Sequence, residues 1–584
     1  MLGNIIGIED NVVIIKLNVE EHKLINLLVV LQDKNVNFIG EITNVKDGVA
    51  YIKLLGEMND DNFIFGVVRK PSLDSIVKLI SKEKVKKIIS TGDYLEERDL
   101  YIGKSVLYDL DINVNINDFM SNHFAILGST GSGKSCGTAR LLQNLLNKKE
   151  YIPYKSSIFM FDAYGEYHTA FLNYKDGDIN FKIYTTDTNS PNNLVRIPVW
   201  LLGVDDLALL LGATKSTQIP IIEKALKIVS IFGREESEVI KIKNDIIARA
   251  LIEILSSGTN SSTIRDQLIS VLSYYNTSEL NLYTIVQQPG YDRELYKCFN
   301  IDNTGKLRDM ELIMNFLQNY IYEGYDLSYP DGSFAYSLQT IADALDFALI
   351  SEGILKSDKV YDDANILKVR LHSLLNSKES EYFNYPEYIS KTRYIRRLLT
   401  ADNGKKAQII NFNINYIDDR LAKVITKIYS KMLFEFTKEN VMKDKLPIHI
   451  LLEEAHRYVQ NDSDIDVLGY NIFDRITKEG RKYGVILGLI SQRPSEISET
   501  AISQCSNFLI FKMLHPKDVD YIKNMVPDVT NDIIARLRIL QPGNCIAFGN
   551  AFKIPVIVKL DMPNPMPTSS NCNLINTWFV KREN

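Results

Sequence analysis

This chain has little of what would make it a secreted, metal-binding or membrane-spanning protein. It carries 5 cysteines and 7 histidines in 584 residues. The cysteines are scattered, with neither the spacing of a zinc site nor the framework of a disulfide-stapled domain. No apolar run reaches the ~18 residues that a membrane span needs. The first ten residues, Met1 to Asp10, lack a basic segment and turn acidic early, so they do not read as a signal peptide. Basic residues are not in excess either, since the formal net charge is −6. That argues against a surface attracting nucleic acid everywhere, but leaves room for a local basic channel. With 45% hydrophobic and 24% charged residues, the composition is that of a globular protein of several domains. The expected setting is the cytoplasm, without a membrane.

What the chain does have is concentrated between Phe124 and Ser135. Four apolar residues, Phe124 to Leu127, run into Gly128-Ser129-Thr130-Gly131-Ser132-Gly133-Lys134-Ser135, and a helical pattern begins at Cys136. Gly128, Gly133, Lys134 and Ser135 occupy the fixed positions of a P-loop. Glycines let the backbone curl until successive N–H groups converge on one point, which an anionic phosphate satisfies. Lys134 is expected at the β/γ-phosphates and the Ser135 hydroxyl on Mg²⁺. Gly128 to Cys136 are the expected nucleotide-binding residues, and Cys136, at the helix start, reads as a small buried residue or a thiol made reactive by the helix N-terminus. The expected cofactors are ATP and Mg²⁺.

Two further carboxylate clusters follow at the ends of apolar runs. Ser157-Ile158-Phe159-Met160-Phe161-Asp162 suits a central parallel strand, which puts Asp162 at the strand's C-terminal edge, where open α/β sheets collect ligands. Glu166 then lies on the same rim. Ile448-His449-Ile450-Leu451-Leu452 delivers Glu453 and Glu454, the Walker B arrangement. Its first acid supports Mg²⁺ and its second polarises the attacking water. Val485 to Ile490 forms another apolar run that ends at Ser491-Gln492-Arg493-Pro494. A glutamine between the P-loop and Walker B strands senses the γ-phosphate and orients water.

The rest of the chain supplies scaffolding. Runs such as Val12 to Leu17, Phe38 to Ile42 and Val49 to Leu54, with an Asp47-Gly48 hairpin signal, predict a small closed barrel. Residues 69–122 read as a charged helical and extended connector, and residues 205–395 as a mostly helical insertion with a flexible link at Ser256 to Thr263. The tyrosines of the insertion read individually as core rather than as base-stacking groups. Ala407 to Phe412, Phe508 to Met513 and Cys545 to Gly549 complete the sheet. Met562 to Thr568 reads as an extended tail lying on a surface.

Taken in order, these stretches resemble HerA, the hexameric DNA-translocating ATPases of the HerA/FtsK group. The most specific are the P-loop preceded by His123, Asp162-Ala163-Tyr164-Gly165-Glu166-Tyr167, Glu453-Glu454-Ala455-His456-Arg457 and Glu479-Gly480-Arg481-Lys482-Tyr483-Gly484. The resemblance implies an α/β fold with a RecA-like P-loop NTPase core, an N-terminal β-barrel (HAS-barrel-like) and a helical insertion. The domain bounds would be 1–100, 101–204, 205–395, 396–560 and 561–584. It implies Glu454 as catalytic base, Gln492 as sensor, Asp162 and Glu166 as accessory acids, Glu453 and Ser135 at the metal, and Arg481 as an arginine important for hydrolysis on the nucleotide rim. Asn122 departs from the arginine common in related chains. The implied partners are further copies in a homohexamer, double-stranded DNA, and a nuclease or NAD-hydrolysing effector. The implied activity is ATP-driven DNA translocation in DNA end processing or anti-phage defence. The alternative is a ring scaffold whose ATP site regulates a bound effector.

Overall fold

Alternating burial in Val49–Asn59, where Ala50, Ile52, Leu54, Gly56 and Met58 face inward, marks a strand with one wet side. It pairs with Asn37–Lys46 across a hairpin at Asp47 and Gly48, whose φ values of 51° and 75° give the turn matched to strand twist. These strands lie in an N-terminal antiparallel sheet. Its order is Gly3–Glu9, Val12–Leu17, Val49–Asn59, Asn37–Lys46, Leu28–Gln32, Ile76–Leu79, with Asn62–Phe65 paired to Val49–Asn59. No ladder joins the first strand to the last among the described residues. One backbone hydrogen bond, Leu2 N–H to the Val77 carbonyl at 2.8 Å, links the two ends. This computed structural model describes residues 1–568 except 20–22, 35, 60–61, 93–94, 96–97, 149, 173–178, 289, 326–327, 331, 333, 352–357, 440–445, 463 and 526–530, together with 578.

The second sheet is built from the continuous apolar runs. Seven parallel strands lie in the order Phe181–Thr185, Ile409–Asn413, Ser157–Asp162, Ile448–Glu453, Val485–Ser491, Phe124–Leu127, Asn507–Phe511. Burial on both faces is what a parallel sheet covered by helices demands, and Phe124–Leu127, Ser157–Asp162 and Val485–Ser491 are buried at every position. Four antiparallel strands extend it: Asn544–Gly549, Val556–Lys559, Asp99–Ser105 and Asp111–Asn115. The last two refine the reading of 69–122 as a helical and extended connector, because its extended part joins the ATPase sheet. Their charges, Asp99, Lys104 and Asp111, disguise both strands, of which Asp111–Asn115 forms the sheet edge, where such residues are tolerated.

Clustering of contacts divides the chain into two units. The first comprises residues 1–185, 398–461 and 472–584; the second, 186–397 and 462–471. Within the first, the N-terminal sheet shares a core with the ATPase sheet, as Leu28, Ile39 and Phe63 belong to one buried cluster with Ile88, Leu100 and Phe119. Arg536 fixes the junction by hydrogen bonds to Glu41 Oε1 at 2.6 Å and Asn26 Oδ1 at 2.9 Å.

The second unit is mainly helical, with Ile219–Val229 packed on Leu338–Ser351. Its fully buried Asp245 accepts from Arg249 Nε at 2.8 Å and from the Tyr325 hydroxyl at 2.7 Å, so the charge is paired. The expected link at 256–263 is shorter than the sequence reads. Asn260 caps the Thr263 N–H at 2.8 Å, and a helix runs over Ser261–Tyr274.

Residues 561–568 lie on the first unit. Gln143 of the P-loop helix bonds the Pro565 carbonyl and the Asn564 N–H, and Thr568 N–H bonds the Glu166 carbonyl.

Candidate nucleotide site

Parallel strands end together, so their C-terminal residues share one edge. Leu127 lies beside Ser491 and Ile510, Leu452 beside Leu489, and Asp162 beside Asn413. The P-loop, Asp162, the two glutamates and Gln492 therefore gather at one rim, although they come from four strands. Gln492 follows the strand that lies between the Walker B and P-loop strands.

The P-loop is held open by its neighbours. Gly128 N–H bonds the Ser491 carbonyl at 3.1 Å, and Ser129 N–H bonds the Lys512 carbonyl at 2.9 Å. Gly131 and Gly133 adopt φ of 73° and 96°, values that side chains resist. A Cβ on Gly133 would also sit 2.7 Å from Gly543 N, and that N–H in turn bonds the Ser132 carbonyl at 2.9 Å. The N–H groups of Gly131, Gly133, Lys134 and Ser135 donate to no backbone carbonyl among the described residues. They are the free donors at the start of helix Lys134–Leu146, and an anion satisfies such donors. The Ser132 hydroxyl is buried and has no partner among the described residues. Cys136 is half-buried, and burial pushes its thiol pKa up, away from thiolate chemistry.

Lys134 and Glu454 meet across this cradle. Lys134 Nζ lies 3.3 Å from Glu454 Oε1, with both side chains buried. Glu454 reaches that position by leaving the strand at φ 50° and ψ 48°, the left-handed region, which costs a non-glycine residue on the order of 1–3 kcal/mol. Its Oε2 lies 3.2 Å from His456 Nδ1, which is also 3.0 Å from Ser491 Oγ. Burial lowers the His456 pKa, favouring the neutral ring. The Thr130 hydroxyl donates to Gln492 Oε1, which ties the glutamine to the phosphate loop.

The remaining acids sit behind this front. Asp162 Oδ1 accepts from Glu166 N–H at 3.0 Å, and its Oδ2 accepts from Tyr167 N–H at 2.9 Å and Asn411 Nδ2 at 3.1 Å. Glu453 Oε2 accepts from Ala163 N–H at 3.0 Å. Burial, then the Asp162 charge, pushes the Glu453 pKa well above the usual carboxylate range. Glu166 is half-buried and its pKa is also raised, mainly by burial, while the nearby Ser135 hydroxyl opposes the shift.

Such a crowd of carboxylates fits a cation. No group of three or more His, Cys, Asp or Glu side chains is arranged to hold a metal alone among the described residues. Mg²⁺ usually takes one or two protein ligands and completes its shell with water and phosphate oxygens. The Ser135 hydroxyl near Glu166 and the buried Glu453 carboxylate near Asp162 are oxygen groups at this rim.

Arg481 is elsewhere. It ends helix Ile472–Tyr483 and is exposed, just before the strand Val485–Ser491 begins. Its charge is felt by His123, which enters the P-loop strand and whose pKa is lowered to about 4, first by burial and then by Arg481. A seven-residue strand spans about 20 Å, so Arg481 stands at the opposite sheet edge from its own P-loop. The nucleotide rim expected for Arg481 is therefore not that of its own chain. Chain order put it between Walker B and Gln492, but a helix returning to start a parallel strand must end at the far edge.

Asn411 and Gly543 were not anticipated as parts of this site, and His456 and Ser491, although inside motifs named above, carried no expected role. Asn411 and Ser491 lie on strands the sequence does mark. Gly543 carries no signal beyond the turn dipeptide Pro542-Gly543.

Fold and site together define a P-loop nucleoside triphosphatase. A model of the helicase HerA central domain matches residues 100–433, more than half of the chain, and the chain belongs to that family. It is an ATPase. The DNA double-strand break repair helicase HerA of Sulfurisphaera tokodaii is 25% identical to it over 545 residues, 91% of this chain and 82% of that protein. The probable DNA double-strand break repair helicase HerA of Methanocaldococcus jannaschii is 24% identical over 92% of this chain and 90% of its own length. The corresponding helicase of Pyrococcus furiosus is 23% identical over 88% and 77%.

Proposed function

We propose that this chain is a DNA-translocating ATPase, acting in the cytoplasm as a homohexamer on double-stranded DNA and working with a partner nuclease in DNA end processing or anti-phage defence. The single observation that carries the ATPase half is the meeting of Lys134, Glu454 and Gln492 at one strand edge. The DNA half is supported by membership of the HerA family and by relatives named as DNA double-strand break repair helicases. No helix among the described residues is long and apolar enough to cross a membrane. The N-terminal sheet, whose ends meet at Leu2 and Val77, is in this reading a barrel that gives the ring a second contact layer.

ATP·Mg²⁺ supplies the phosphoryl group and the divalent charge that neutralises it. Lys134 leaves Glu454 to bind phosphate oxygen, which frees the carboxylate to take a proton from water. Gln492, released from Thr130, orients that water. Glu453 and Ser135 would hold the metal, whose charge would favour the ionised Glu453 carboxylate, while Asp162 and Glu166 shape the acidic rim. Arg481 serves the site of a neighbouring copy, since it stands far from its own. Steady-state ATP hydrolysis with and without duplex DNA tests the proposal. Turnover indifferent to DNA, but altered by a co-expressed effector protein, would favour the scaffold reading.

A further inference from the structure

The helical unit contains a cavity of about 570 Å³, within the range of small-molecule pockets, about 300–1,000 Å³. Trp200, Tyr336, Phe383 and Tyr385 wall it. The aromatic side is fixed in advance. Trp200 stacks on Tyr388 with ring centroids 6.1 Å apart, meets Tyr385 edge-on at 6.0 Å, and donates from Nε1 to the Ile389 carbonyl at 2.9 Å. Nothing in the nucleotide site uses these residues.

The lining limits the charge of an occupant. None of its described residues is Asp, Glu, Lys or Arg, so neither an anion nor a cation would find a countercharge there. A cation is disfavoured further because the first turn of helix Leu338–Ser351 lines the cavity and presents the positive end of its dipole. That end favours a hydrogen-bond acceptor. Tyr336 supplies a second polar contact. It is only 8% exposed, and its hydroxyl makes no hydrogen bond among the described residues. Burial alone pushes the pKa of that hydroxyl up. The hydroxyl opens on the cavity while the rest of the side chain is buried, so it is free to donate to an occupant that accepts a hydrogen bond. By contrast, Ser337 and Thr340 already satisfy each other at the helix start, with their hydroxyls 3.2 Å apart.

We infer that this cavity binds an uncharged planar heteroaromatic group, a nucleobase, stacked on its aromatic wall with a ring nitrogen or carbonyl at Tyr336 and the helix N-terminus. Two sources offer the same chemistry: a free nucleoside, or an unpaired base turned out of a DNA strand. Stacking on aromatic side chains tolerates every base, so selectivity among bases is expected to be weak.

The chain has 2 tryptophans, Trp200 and Trp578. In a Trp578→Phe full-length chain, with the P-loop saturated by ADP and Mg²⁺, tryptophan emission reports on Trp200. Adenosine is expected to quench it saturably. Phe383→Ala should weaken that binding by about one to two orders of magnitude. Tyr336→Phe, which keeps the ring and its packing, should weaken it about tenfold. Quenching by an oligo-dA strand but not by its abasic counterpart would identify a base in a strand as a source, and quenching by adenosine alone would identify the free nucleoside. Absence of saturable quenching by either ligand, equal quenching by the abasic strand, or affinity unchanged in Tyr336→Phe would overturn the inference.

Discussion

Glu454 is held by Lys134. The lysine ammonium and the glutamate Oε1 lie 3.3 Å apart, both side chains buried, so each neutralises the other before any nucleotide arrives. The group expected to grip phosphate therefore restrains the group expected to activate water. Binding and readiness for chemistry become one event.

That pairing predicts an effect on the protein without nucleotide. Lys134→Ala removes the phosphate contact and also leaves a buried carboxylate without its cation, a loss of about 3 kcal/mol in stability. Adding Glu454→Gln to Lys134→Ala should recover most of that loss, though not nucleotide binding. Denaturant unfolding of the two single variants and the double variant measures the coupling; additive effects would show that the pair does not interact.

Glu453 gives a pH signature. Its folded pKa lies well above the ordinary carboxylate value, so above about pH 4.5 the unfolded chain releases a proton that the folded chain keeps. The folded state binds more protons, and stability from this group falls as pH rises, by about 1.4 kcal/mol per pH unit until the folded pKa is reached. Glu453→Gln should flatten the fall in stability between pH 5 and pH 8 in the absence of nucleotide. Unfolding curves across that range, with Mg²⁺ omitted, give the two slopes; parallel slopes would show that Glu453 is already ionised.

Thr130 and Gln492 can be separated from nucleotide affinity. Gln492→Ala should bind ATP within about threefold of the wild type and lower turnover by about 10²-fold, the lower range for positioned groups acting in the transition state. Thr130→Val leaves Gln492 without its tether, and we expect a smaller loss, about tenfold. Equilibrium binding set beside steady-state turnover distinguishes these outcomes.

Arg481→Ala should bind nucleotide normally, because Arg481 stands at the sheet edge opposite its own P-loop. Removing an arginine that stabilises the transferring phosphoryl group costs on the order of 10³–10⁵ in rate. If Arg481 serves a neighbour, mixing variant with wild type should depress activity more than in proportion to the variant added. A linear decline contradicts a role across the subunit boundary.

The contiguous motifs were legible because a single short stretch carries each function. Gly128 to Ser135 needs only its own spacing, and Asp162, Glu453 and Gln492 each end an apolar run whose burial the sequence displays. The placement of Gln492 between two other strands was also readable, as continuous apolar runs call for the middle of a parallel sheet. Contacts between distant residues were not readable. Nothing local in Asn411 or Gly543 says that one holds Asp162 and the other presses on Gly133. The strands Asp99–Ser105 and Asp111–Asn115, the last two of the sheet, escaped because charge there resembles a loop. Which chain's rim Arg481 serves was not readable, for a geometric reason: neighbours in sequence around a parallel strand lie at opposite ends of it.

The central claim is that hydrolysis at Glu454 is driven by engagement of DNA. Steady-state ATP hydrolysis by the full chain, with and without duplex DNA over a series of salt concentrations, tests it most directly when wild type and Glu454→Gln are run together. We predict that DNA raises the wild-type rate, that the stimulation fades steeply with salt as phosphate contacts are lost, and that Glu454→Gln still binds ATP while its turnover falls by about 10²–10⁴-fold. A wild-type rate that ignores DNA at every salt concentration, or a Glu454→Gln rate close to wild type, would contradict the account.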